Sequence, residues 1–123
     1  MIRLFLIGFC FIFMYANTAS AQDMSLRYTC NVPGFKNPLL FSALGNGKGI
    51  FNNVEVFARV VKDPGGKSNY NIVHFIEWTA TGNMTTTTIF HLKGAATHRV
   101  VHSRHILLDK PIPSQNVGEC ILS

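Results

Sequence analysis

The chain has 123 residues, 47% of them hydrophobic and 14% charged, with a formal net charge of +5 and three cysteines. That length bounds it to one small domain. The few basic residues are scattered, which excludes the clustered footprint of a nucleic-acid binder.

The start reads as an export signal. Met1-Ile2-Arg3 precedes an almost wholly apolar run over residues 4–15, and small residues follow, ending in Ala19-Ser20-Ala21. This is the charged, apolar and small-residue order of a secretory signal, with cleavage expected after Ala21. As a helix the run would reach only about 18 Å, short of the roughly 20 residues that a membrane span needs. Cys10 sits inside the apolar run and does not follow small residues, unlike a lipid-anchored cysteine. The expected mature protein is residues 22–123, in the periplasm or secreted, without a membrane span. Losing Arg3 leaves ten Lys or Arg against six Asp or Glu, a charge of +4.

Two cysteines then remain, Cys30 and Cys120, and an oxidising compartment makes one disulfide the simplest expectation. It would tie the two ends of the mature domain.

Along the mature chain the hydrophobic period is two. Leu26, Tyr28 and Cys30 alternate with Arg27 and Thr29 in a first strand. Asn31-Val32-Pro33-Gly34 and Asn37-Pro38 mark a loop before a strand at 39–44. After the Gly45-Asn46-Gly47-Lys48-Gly49 turn, residues 50–62 read as one long strand with Val54, Val56, Ala58 and Val60 on one face. Asp63-Pro64-Gly65-Gly66 turns the chain. In the strand at 70–79, Tyr70, Ile72, His74, Ile76 and Trp78 share one face, and Asn71, Val73, Phe75, Glu77 and Thr79 the other. Thr81-Gly82-Asn83 leads to a β-branched strand at 85–92, Lys93-Gly94-Ala95-Ala96 turns it, and 97–108 returns. Pro111 and Pro113 interrupt a loop before a short last strand at 118–122. The expected fold is all-β, a single small antiparallel barrel or sandwich of about seven strands with its ends tied by the disulfide.

The five histidines, His74, His91, His98, His102 and His105, all fall within 32 residues, counted from 74 to 105. On a strand His98 and His102 stand about 13 Å apart, too far to share one ion. Pairing around Gly94-Ala95 instead sets His91 opposite His98, about 5 Å apart at Cβ, where two imidazoles could hold zinc or copper or act as a pH-sensitive pair. A structural or catalytic metal site needs a further ligand, which the sequence does not name. Glu55 and Glu77 lie in different strands, and a glycosidase would need two such acids across a cleft. Ser103 and His105 share a face, without a nucleophile-elbow motif around the serine. The Thr85-Thr86-Thr87-Thr88 run reads as a strand with hydroxyls on both faces. Asn83-Met84-Thr85 matches a glycosylation acceptor, relevant only to a eukaryotic route. Tyr70 and Trp78 share their face with aliphatic neighbours, as core residues do; the alternative is a ligand-stacking platform.

Tyr28-Thr29-Cys30 near the mature start, with Ser103-Arg104-His105, Pro113-Ser114-Gln115 and Gly118-Glu119-Cys120 near the end, resembles a class of small exported bacterial proteins of uncharacterised function. In architecture the chain is also similar to the envelope β-barrel inhibitors of c-type lysozyme, which begin with a Tyr-x-Cys strand. That family's Ser-Gly loop and C-terminal Tyr-x-Cys-x-x-Lys stretch are not matched, since Cys120 lies between Gly118-Glu119 and Ile121-Leu122. The resemblance therefore implies architecture and location, not inhibitory residues. Arg104 and His105 join Tyr70 and Trp78 as candidate binding residues. The functional expectation is an exported non-enzymatic binding protein without a cofactor, whose partner is another envelope or secreted protein or an envelope polymer, an inhibited wall-degrading hydrolase being the sharpest case. The alternatives are a periplasmic metal-binding protein using His91 and His98, and a small secreted enzyme.

Overall fold

The computed structural model describes residues 26–66, 69–80, 82–106 and 112–123. The signal segment, Cys10, the cleavage position, Thr81 and Pro111 lie outside them. Eight antiparallel strands form one closed barrel in which every strand pairs with its sequence neighbours and the last pairs with the first. They are β1 Leu26–Asn31, β2 Leu39–Gly45, β3 Lys48–Phe51, β4 Val54–Lys62, β5 Tyr70–Trp78, β6 Met84–Leu92, β7 His98–Ile106 and β8 Ile112–Leu122. Closure removes the exposed edge that a sheet of this size would otherwise present.

The eighth strand comes from a break in the segment expected to run unbroken over 50–62. Asn52 and Asn53 both take positive φ, 45° and 68°. Asparagine tolerates that region better than other side chains do, and the chain turns there between β3 and β4. The Asn52 side chain fixes the turn by accepting a bond from the Leu40 amide at 2.9 Å. The last strand also begins earlier than expected, at Ile112, with Pro113 in register with His105. A proline near the start of a strand removes only one ladder donor.

Inside the barrel, Phe41 stacks on Phe51 at 4.5 Å and tilts against Phe75 at 4.9 Å. Tyr28, Val73, Ile89 and Val100 fill the rest of the core. Two glycines permit close approaches. A Cβ at Gly49 would lie 2.7 Å from the Ala58 Cβ and 2.9 Å from the Ser42 carbonyl oxygen. A Cβ at Gly118 would collide with the Asn31 carbonyl oxygen where the chain leaves β1. From there Val32 is buried, and Phe35 packs edge-on against His102 with ring centroids 5.2 Å apart. The connection between β1 and β2 thus closes one end of the core.

In β5 the orientation is the reverse of a core-facing Tyr70–Trp78 side. Val73 and Phe75 are buried, and the side carrying Ile72, Ile76 and Trp78 faces outwards. Both sides of this strand carry apolar residues, so alternation does not decide which is inner. The outer wall also carries exposed Arg27, Lys48, Glu55, Arg59, Arg99 and Glu119. No helix among the described residues is long and apolar enough to cross a membrane.

Candidate functional site

Two places in the barrel gather chemistry. The first is a cleft of about 500 Å³ on the outer wall, where the β2–β3 turn lies beside β4 and β5. Phe57 and Ile76 are ladder partners in its floor, and Trp78 stands one outward position further along β5. Phe57 is 66% exposed and Trp78 60%, the two most exposed large hydrophobic residues described. Glu55 lines the same cleft, whereas Glu77 borders it on β5 with its side chain on the inner face beside Val73 and Phe75. Lys48 reaches Glu55 at 3.7 Å, and Thr85 Oγ1 donates to Glu77 at 3.3 Å. An aromatic floor beside oriented charges suits a partner that offers both an apolar group and hydrogen-bonding groups.

The second place is inside. His91 of β6 and His98 of β7 lie on either side of the Lys93-Gly94-Ala95 turn, with rings stacked at 4.1 Å and 16° between planes. Tyr28 of β1 meets both rings edge-on, and its hydroxyl lies 2.6 Å from His91 Nδ1. The Leu92 amide donates to His98 Nδ1 at 3.1 Å. Burial pushes both imidazoles below their ordinary pKa, and for His98 the neighbouring His91 adds to it. Burial also drives the Tyr28 phenol well above its ordinary range. The stack is therefore neutral at neutral pH, and the Tyr28 hydroxyl and His91 Nδ1 share one hydrogen bond.

This arrangement is not a chelate. Ligands of one ion aim their lone pairs at one point, whereas near-parallel stacked rings aim theirs in near-parallel directions. His98 Nδ1 already holds the Leu92 amide. Among the described residues, no three of His, Cys, Asp and Glu converge as a metal-binding group.

The other sequence candidates separate. Tyr70 is half-buried at the start of β5, eight residues and roughly 27 Å of strand from Trp78. His105 pairs with Met84, which pairs with Trp78, so His105 lies in the Trp78 row but two strands away. Arg104 is exposed at the end of β7, where its charge joins burial in lowering the pKa of His102. His102 is buried, with Nδ1 2.7 Å from Thr87 Oγ1. Ser103 Oγ accepts from Gln115 at 3.3 Å. His74, on the outer wall, meets Thr88 Oγ1 at 2.8 Å, and burial lowers its pKa.

Sequence reasoning missed Phe57 as a site residue. Phe57 sits in a strand whose valines and alanine on the other face point inwards, so its outward direction was readable; the cleft depends on the β2–β3 turn lying beside two strands, which is not. Comparison of the chain with protein-family models, with curated proteins and with solved structures finds no match.

Proposed function

We propose that this is an exported, non-enzymatic binding protein that grips a protein partner through the Phe57–Trp78 cleft. The observation that carries the reading is the position of those two aromatic residues. They stand exposed on a rigid closed wall, beside the Lys48–Glu55 pair. Buried aromatic anchors with a polar rim are the energetic centres of protein interfaces. Exposing them without a partner costs solubility and gains nothing for folding.

The sharpest form of this reading is inhibition of a wall-degrading hydrolase. It is supported by the signal-like start, the disulfide and the closed barrel. Its test is direct: the oxidised protein is added to a panel of lysozymes and other wall hydrolases. Loss of activity in one of them supports the reading, and full activity throughout removes it.

A further inference from the structure

We propose that the Tyr28–His91–His98 stack is an acid-released latch: a proton added to His98 Nδ1 frees the Leu92 amide and opens the β6–β7 hairpin end of the barrel.

The argument rests on which atoms can hold protons. A backbone N–H only donates, so the 3.1 Å bond from Leu92 requires a bare lone pair on His98 Nδ1. The neutral ring then carries its hydrogen on Nε2, and Nδ1 is the one place left for a second proton. Adding it sets two N–H groups head-on, and the bond must break. His91 is different. Its Nδ1 faces the Tyr28 hydroxyl, which can rotate from donor to acceptor, so His91 can be protonated without losing its partner. The latch is thus asymmetric, with His98 as the group that releases and His91 as a neighbour whose charge, one ring away at 4.1 Å, opposes a second charge.

Among the described residues, nothing facing the pair compensates an imidazolium. On β1 the inward group is the Tyr28 phenol, and Arg27 points outwards. On β5 the partner of His91 is the uncharged Asn71. On β8 the partner of His98 is Cys120, held in the disulfide, while Glu119 is outside and opposite Arg99. In the adjoining turns, Asp63 is taken by Lys93 at 2.6 Å. Opening is local because only the hairpin end depends on the bond. Beyond Leu92 the turn is held by the Lys93 amide to Asn69 and the Ala95 amide to the Leu92 carbonyl, whereas Ile89 and Val100 pair deep in the ladder and are fully buried.

Amide hydrogen exchange of the full mature protein, followed by NMR from pH 8 to pH 5 and corrected for intrinsic rates, tests this. The expected result is a loss of Leu92 protection of at least about tenfold relative to Ile89 and Val100. In His98→Asn, whose side-chain oxygen can accept the same amide without titrating, Leu92 protection stays constant. In His91→Gln the wild-type transition moves to higher pH, because the opposing charge is gone. Leu92 protection that is constant with pH, or that falls in step with Ile89 and Val100, overturns the proposal. So does a wild-type transition surviving in His98→Asn. Should that variant not fold, an unmoved midpoint in His91→Gln overturns it instead.

Discussion

Cys30 and Cys120 are direct partners across the ladder that closes β1 onto β8, their Cα atoms 3.9 Å apart and their side chains fully buried. Ninety residues of separation meet in one rung. The bond therefore fastens the seam of the barrel and constrains almost all of the domain in the unfolded chain. Cys30→Ala with Cys120→Ala is expected to cost about 2–5 kcal/mol. The urea midpoint of the double variant against wild type measures it, and an unchanged midpoint would show that the seam holds without the bond.

The same seam needs Gly118. A methyl group there meets the Asn31 carbonyl oxygen and comes within 2.9 Å of the Val32 Cα, both backbone and unable to swing aside. Gly118→Ala is expected to lose about 1–3 kcal/mol. Gly47→Ala is the control for a glycine with positive φ and open space around it: its penalty is backbone strain alone, about 1 kcal/mol. Equal losses at the two positions would argue against the close approach.

Stability should fall in acid. Burial lowers the pKa of His74, His91, His98 and His102, so the unfolded chain takes up protons first as pH drops through about 6.5. Where the unfolded state binds more protons, unfolding free energy rises with pH. Their contribution is therefore complete above about pH 7 and is lost progressively below 6.5. Urea midpoints measured from pH 8 down to pH 5 should be flat and then decline. His102→Asn should decline less steeply, since His102 is the most buried of the four. A midpoint that rises on acidification contradicts these environments.

Phe57→Ala and Trp78→Ala should leave stability within about 0.5 kcal/mol, since both side chains are mostly exposed. A large loss in the urea midpoint would mean that the two rings brace the barrel wall and are not held out for a partner.

Much of this architecture is legible from residues, and the exceptions have physical causes. The period-two alternation and the Cys30–Cys120 pair anticipate the barrel and its seam. Pairing the strands around Gly94-Ala95 anticipates the His91–His98 juxtaposition, and the observed register keeps it although the connection runs over residues 93–97, because side-chain direction in a hairpin is set by register. What it does not reveal is the mode of meeting: stacking depends on ring rotation and on Tyr28, which arrives from β1, far away in sequence. Asn52-Asn53 is a weaker turn signal than a glycine pair, and hides the division of β3 from β4. Tyr70 and Trp78 look like core because isoleucines accompany them, but Val73 and Phe75 compete for the interior and fit it. The cleft is a product of tertiary placement, joining a turn to two strands, and no local pattern encodes it.

The central claim is that the Phe57–Trp78 cleft grips a partner, and the decisive measurement is inhibition of wall-degrading hydrolases by wild type, Phe57→Ala/Trp78→Ala and Leu40→Ala, the last a control at an exposed leucine outside the cleft. The account predicts that wild type and Leu40→Ala inhibit the same hydrolase equally, and that the double variant weakens inhibition by at least about thirtyfold, the loss of about 2 kcal/mol expected of anchor residues. Inhibition untouched by the double variant would place the interface elsewhere on the barrel, and no inhibition by wild type would contradict the binding role proposed for it.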